Sequence, residues 1–350
     1  KDLFNINELM MTHPYSVNER DKSIIYNRAL KFLNEYHYQN CSEYKSIVDM
    51  LNSSKTEDSN YDEFIFLPVS LFKDYELSSV GKDKISKIIS SSGTTSSRVS
   101  KIFLDKVNAN LQTKVLAKIV STVIGKKRLP MLIIDSKSTV DNRNSFSARG
   151  AGIIGFSIFG TDITYALDKK MGLDLNIVGD FLESHKNEQI IIFGFTSIVW
   201  NYFVKYILDN KIKIPKINGF MIHGGGWKKM NDQKVDNDIF KESIFNTCGL
   251  REVINYYGMV EQTGSIFLEC PEGYLHTSIF SDIFIRRNDF SLCNFNEVGL
   301  VQLISLLPTS YPGHNIITED LGEIIGIDNC KCGRLGKYFL IHGRTERAEI

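Results

Sequence analysis

Three short apolar runs constrain this chain more than any other feature: MLIID (131–135), IIIFGF (190–195) and FMIHGGG (220–226). Each is too short for a buried helix and is apolar at nearly every position, which suits a strand covered on both faces. Helix-length stretches separate them, and residues 107–124 read as a helix. Strands alternating with helices predict an α/β fold with a mostly parallel sheet. After residue 265 the apolar alternation shortens and Gly/Pro punctuation thickens, which predicts antiparallel hairpins. The first eighty residues read as mostly helical, with Ile24, Ile25, Ala29, Phe32 and Leu33 near helical spacing. A polar stretch, 52–60, then leads into FIFLPVSLF (64–72), where Pro68 favours extended chain. There is no internal repeat or low-complexity tract.

Charge and composition narrow the partners. Forty-one basic side chains balance 41 acidic ones, so nothing pulls the chain as a whole toward nucleic acid or anionic lipid. A hydrophobic share of 43% and 22 Phe exclude a disordered chain. The most apolar long stretch, 190–208, is broken by Gly194, Thr196, Ser197, Asn201 and Lys205, unlike a membrane span. No apolar run behind a basic stretch opens the chain, so the expected location is the cytoplasm. Six cysteines are too sparse for a disulfide scaffold, and free or metal-bound thiols are expected. The chain begins at Lys1 and stops at Ile350 in a charged run, so both ends read as cut.

Five motifs carry chemistry. SSSGTTSSR (90–98) follows a short apolar run; its backbone N–H groups and hydroxyls suit phosphate oxygens, with Arg98 and the later Lys101 as cations. Alone, it reads equally as a Ser-rich linker. His223 and Gly224, Gly225 and Gly226 end an apolar run, so a flat ring or phosphate can approach the backbone; a tight turn is the plain alternative. YYGMVEQ (256–262) sets Glu261 beyond an aromatic–Gly turn, where a carboxylate suits Mg²⁺. SYPGHNIITEDLG (310–322) carries Asp320, which suits vicinal hydroxyls or a turn cap, and GRTER (343–347) closes the series.

In order, these words resemble the adenylate-forming enzymes. Within them, LPVSLFKDYEL (67–77), SSGTTSS, GGGWKKM (224–230) and SYPGHNIITEDLGEI (310–324) look most like the acyl-protein synthetase (LuxE-type) family, from about residue 60 to the C-terminus. The resemblance implies the large-domain architecture of that superfamily: stacked mixed sheets flanked by helices, and a smaller antiparallel β subdomain behind a helical N-terminal segment. It divides the chain into a helical segment (1–85), an α/β nucleotide-binding core (86–265) and a β-rich part (266–350) that ends at a hinge. The implied activity joins a carboxylic acid, fatty in this family, to ATP as an acyl-adenylate and passes the acyl group to a thiol. Ser91, Ser92, Gly93, Thr94 and Thr95 would cradle phosphates, with Arg98 or Lys101 as the catalytic cation. Gly224, Gly225, Gly226, Tyr257 and Gly258 would frame adenine, Glu261 would hold Mg²⁺, and Asp320 and Arg344 would fix the ribose.

The sequence departs from the pattern in four places. Ser96 replaces a Gly, Val99 stands at the usual Lys, Val260 replaces the Thr of YGxTE, and Glu346 stands at the hinge acid. Gln262 or Thr263 is the candidate to compensate for Val260. No cysteine occupies the place of the family's acylated C-terminal thiol, so the acceptor is either a cysteine beyond Ile350, CoA or a carrier protein. An acyl-CoA reductase subunit is the implied partner. Two rivals remain: a CoA ligase of the phenylacetate type, and a catalytically inactive nucleotide-binding subunit of an acyl-reductase complex.

Cys330 and Cys332 form a Cys-x-Cys-Gly knuckle, and Cys270 lies six residues before His276. Together they make a four-ligand set suited to a structural Zn²⁺. The alternative is four unrelated side chains, with Cys41, Cys248 and Cys293 as buried thiols. Two weaker features complete the inventory. The small-residue run AGIIGFSIFG (151–160) is a candidate border of the acyl pocket, and Arg149 precedes it as a contact to a carboxylate or phosphate, or as a surface ion pair.

Overall fold

A computed structural model describes residues 4–51, 60–91, 99–141, 146–227 and 235–345. The chain forms two compact units, Val120–Gly258 and Lys1–Ile119 with Met259–Ile350.

In the unit Val120–Gly258, five strands run parallel. From one edge they are Gly160–Leu167, Leu129–Ser136, Ile190–Phe195, Gly219–Gly224 and Glu252–Tyr257. Ile133 pairs with Phe193, Ile192 with Met221 and Ile222 with Ile254. The three predicted apolar runs are the three central strands. The strand Ile190–Phe195 is buried at every position, as a strand covered on both faces must be. Side chains alternate between the faces. Leu132, Ile134, Ile192 and Met221 pack on one side with Phe240 and Ile244. On the other, Phe193 stacks on Phe156 at 4.4 Å, and Tyr256 lies 4.9 Å from the same ring. Phe240 and Ile244 belong to the helix Asn237–Cys248, which Asp236 caps by accepting from the Ile239 N–H and which Gly249 ends at φ +73°.

Numbered along the chain, these strands lie in the order 2-1-3-4-5. The direction of progression reverses between Leu129–Ser136 and Ile190–Phe195. In open parallel sheets, ligands bind beyond the carboxyl ends of the strands at such a reversal. The residues at those ends are Asp135, Ser136, Phe195 and Thr196.

The other unit holds the predicted antiparallel part. Ser281–Arg286, Gly299–Ser305, Asn315–Ile327 and Lys337–Arg344 form a meander, continued by Leu275–His276 and Phe267–Glu269. Leu67–Pro68 adds a short parallel strand on Ile316–Ile317, a place where a proline costs no ladder bond within a longer strand. A separate hairpin, Ile85–Ser90 with Lys101–Asp105, brackets the Ser-rich segment. The helix Glu19–Asn40 buries Lys22, Tyr26, Ala29, Leu30, Leu33 and His37. The helix was expected, but its inner face differs from the expected one: Ile24 is exposed, and Lys22 is buried in its stead. Among the described residues no helix is long and apolar enough to cross a membrane.

Lys22 is inside because its ammonium is neutralised there. Its Nζ donates to the Ser281 carbonyl at 2.8 Å and lies 3.3 Å from Asp282. Lys337 contacts the second Asp282 oxygen and Glu19, each at 2.8 Å, and the Tyr61 hydroxyl lies 2.7 Å from Asp282. Two cations and two carboxylates thus join the N-terminal helix to two strands of the meander. Burial acts to raise the Asp282 pKa, but the two lysines hold it down to about 2.

The same helix also docks through histidines. His37 Nε2 lies 3.1 Å from the Pro308 carbonyl, which can only accept, so Nε2 carries the proton and Nδ1 accepts from Ser79 at 2.7 Å. His314 stacks on His37 at 4.8 Å and donates from Nε2 to Asn34. Burial pushes the His37 pKa down to about 3 and that of His314 well below its ordinary value. Both stay neutral when folded, whereas an unfolded histidine takes up a proton below about pH 6.5. Stability is therefore intact above that pH and falls as pH drops from there toward the folded values. Each histidine is expected to cost about 1 kcal/mol between pH 6.5 and 5.5. Urea unfolding across that window should show the decline, and His37→Gln should make it shallower.

Candidate active site

The glycine turn after the fourth parallel strand is built for close approach. Gly225 and Gly226 take φ of +78° and +60°, which side-chain-bearing residues rarely adopt. A Cβ on Gly224 would stand 2.6 Å from a Tyr256 ring carbon. His223 is buried below the turn, with Nδ1 2.9 Å from the Thr196 hydroxyl. Thr196 also lies 3.1 Å from the Gly224 carbonyl, to which it donates, so His223 Nδ1 carries the proton that Thr196 accepts. Burial lowers the His223 pKa to about 3, leaving it neutral. Tyr257 is the last residue of the strand Glu252–Tyr257, with Gly258 directly after it, so the expected aromatic–Gly turn begins inside the strand. Arg149 donates from Nε to the buried carboxylate of Asp135 at 2.6 Å, so the ion pair it makes is not a surface one.

In the other unit, Ser91 pairs with Ser100: its N–H donates to the Ser100 carbonyl and its Oγ accepts from the Ser100 N–H, both at 3.0 Å. Lys101 begins the strand Lys101–Asp105 and is exposed. Ser92, Gly93, Thr94, Thr95 and Arg98 lie outside the described residues, as does Glu346.

Glu261 lies in the single turn Val260–Gln262 and is 5% exposed. The segment that ends in His314 clasps this turn. Tyr311 donates its hydroxyl to the Glu261 carbonyl at 2.9 Å, and Gln262 donates to the carbonyls of Leu303 and Gly313. Gly313 has to be glycine, because a Cβ there would stand 2.7 Å from the Glu261 carbonyl oxygen. Burial raises the Glu261 pKa, opposed by the charges of Arg344 and Lys73. The donors proposed to replace the missing Thr are committed elsewhere: Gln262 as above, and Thr263 to the Val260 carbonyl. Asp320 and Arg344 face each other across adjacent strands, with Oδ1 and Nε 3.5 Å apart.

Cys270, His276, Cys330 and Cys332 converge, their ligand atoms all within 4.8 Å of one another. Two matching turns present the sulfurs. The Gly273 N–H donates to the Cys270 carbonyl, the Gly333 N–H donates to the Cys330 carbonyl, and both glycines have positive φ. The Cys270 and Cys330 sulfurs are 3.9 Å apart, and Cys332 Sγ lies 3.4 Å from His276 Nε2. A tetrahedral Zn²⁺ with bonds of ~2.3 Å to sulfur and ~2.0 Å to nitrogen sets these edges near ~3.8 and ~3.5 Å. The donor set therefore fits zinc. Burial, with the neighbouring sulfurs adding to it, pushes the Cys330 thiol up to about 12. The remaining cysteines are free thiols; Cys41 and Cys248 are buried as expected, but Cys293 is only half-buried.

Sequence reasoning missed the buried Asp282 cluster, the histidine pair and the reversal at Phe195. The first two join residues far apart in the chain. The third depends on spatial strand order, of which no local pattern speaks.

The fold is similar to that of 2-hydroxyisobutyryl-CoA ligase. The open conformation of that protein, solved with 2-HIB-AMP and CoA, matches with a TM-score of 0.70 at 11% identity, over 95% of this chain and 76% of that one. Its postadenylation state with 2-HIB-AMP also matches with a TM-score of 0.70 at 11% identity, over 95% and 69% of the two chains. No curated protein matches the sequence. Residues 3–350 match the family described as acyl-protein synthetase, LuxE. The chain therefore belongs to the LuxE acyl-protein synthetase family.

Proposed function

We propose that this protein uses Mg-ATP to activate a carboxylic acid, of fatty-acid type, and passes the acyl group to a thiol. The observation that carries the reading is the family match across residues 3–350. In the first step a carboxylate oxygen attacks the α-phosphorus, the α–β phosphoanhydride bond breaks, and pyrophosphate leaves. In the second, a thiolate attacks the acyl carbon, the bond to AMP oxygen breaks, and AMP departs after the thiol has lost its proton. The first step demands in-line placement and charge screening more than covalent help.

The residue roles follow the same reading. Ser91, with Ser92, Gly93, Thr94 and Thr95, is assigned to the phosphates, and Lys101 or Arg98 is the catalytic cation. The exposed start of the Lys101 strand supports that choice. Gly224, Gly225, Gly226, Tyr257 and Gly258 are assigned to adenine within the α/β nucleotide-binding core (86–265). Asp320 accepts from the ribose hydroxyls, and Arg344, one strand away, keeps that carboxylate in place. Glu261 is the Mg²⁺ ligand; the ion supplies charge neutralisation at the phosphates, and a buried carboxylate favours a cation beside it. Zn²⁺ at Cys270, His276, Cys330 and Cys332 is structural, since four protein ligands leave no open position. These thiols suit a reducing, cytoplasmic setting, and an acyl-CoA reductase subunit is the proposed consumer of the product.

Mass spectrometry after incubation with ATP and a panel of acids tests the reading. Acyl-AMP in solution, with the acyl group on added CoA, on a carrier or on the chain itself, is expected. ATP left intact with every acid would count against it.

A further inference from the structure

We propose that Phe195 sets the upper limit on the length of the acid, by closing the space beyond the glycine turn. The inference rests on the reading that the turn at Gly224, Gly225 and Gly226 borders the acyl-adenylate. It adds the residue that decides which acids fit.

Phe195 ends the third strand at the point where the strand order reverses, the place where parallel sheets take their ligands. Its ring is wedged between two backbones. A Cβ on Gly152, in the helix Ala148–Ser157, would stand 2.8 Å from the far tip of the ring, and a Cβ on Gly225 would stand 2.5 Å from its near edge. Glycine at both positions is thus what allows a phenyl ring to occupy this space. Beneath it the sheet face is filled: Phe193 meets Phe195 edge-on at 6.0 Å and stacks on Phe156. An acid lying against the turn therefore meets a ring that cannot retreat into the sheet. The ring itself carries no polar group, so truncating it changes chiefly the volume of the space.

The test measures kcat/KM for straight-chain acids of increasing length, with the KM for ATP determined in parallel. Each methylene that a pocket admits or refuses is worth roughly tenfold or more. Phe195→Ala is expected to raise the ratio of long-acid to short-acid kcat/KM by at least about tenfold, with the KM for ATP unchanged. Phe195→Trp should move the ratio the other way. Phe195→Ala combined with Gly152→Val, which refills the vacated space from the helix side, should return the ratio toward wild type. If wild type consumes acids but Phe195→Ala lowers every acid by the same factor, or moves the KM for ATP instead, the length-limiting role is wrong while the activity stands. If wild type activates no acid, the adenylation reading itself fails and takes the role of Phe195 with it.

Discussion

Asp282→Ala is expected to leave the protein unfolded or about 3–5 kcal/mol less stable, the cost of stranding buried charge. Asp282 is fully buried and is the carboxylate that both Lys22 and Lys337 contact, at 3.3 and 2.8 Å. Its removal leaves two ammonium groups inside the protein with Glu19, which touches Lys337, as the remaining acid. Tyr26, Tyr61 and Phe284 line the same space and present to the ammonium groups their rings, which offer no counter-charge in place of the carboxylate. The loss should be cooperative, because the cluster joins the helix Glu19–Asn40 to the strands Ser281–Arg286 and Lys337–Arg344. Replacing the whole set by apolar residues of similar volume should recover much of the stability, since a buried pair often contributes little beyond what packing would. The midpoint of urea unfolding checks both statements. Asp282→Ala with an unchanged midpoint would mean that the cluster is solvated and does not hold the helix.

Purified protein is expected to contain one zinc ion per chain, and stripping it should lower the melting temperature by about 10 °C or more. The two turns at Cys270 and Cys330, with His276 on the neighbouring strand, hold four donors at tetrahedral spacing. With no cation, that spacing crowds three sulfurs against one another in a buried place. The cluster also anchors the N-terminal segment: Tyr15 meets the His276 ring edge-on, Arg334 lies over the Tyr15 ring at 4.5 Å, and the Leu335 N–H donates to the Tyr15 carbonyl. Chelation should therefore expose the segment before the helix Glu19–Asn40 to protease, in addition to lowering the melting temperature. Cys330→Ser should reproduce both effects without chelator. Metal analysis that finds no zinc, with stability indifferent to chelator, would reduce the cluster to neighbouring thiols.

The sequence was most readable where one local pattern decides the outcome. The run 190–195 is apolar throughout and is a strand with those bounds. The predicted helix at 107–124 is Lys106–Ile124. The Cys-x-Cys-Gly turn announced a ligand set because sulfur and glycine at that spacing have few other uses. The strand Gly160–Leu167 escaped notice because an edge strand mixes polar and apolar side chains and three of its positions are exposed. The inner face of the helix Glu19–Asn40 was misread for a related reason: hydrophobicity ranks Ile24 above Lys22, and what overturns the ranking is Asp282, far along the chain. Likewise, Phe195 looks like one more apolar residue until the strands are ordered in space.

Exchange of labelled pyrophosphate into ATP tests the central claim most directly, because it reads acyl-adenylate formation alone and needs no acceptor thiol. The account predicts exchange that depends on an added carboxylic acid and on Mg²⁺, and that falls about 100-fold or more in Glu261→Gln, a substitution that keeps the side chain's shape but removes its charge. An enzyme that binds ATP yet exchanges no pyrophosphate with any acid would contradict it, and would make this chain a nucleotide-binding subunit without the chemistry of its family.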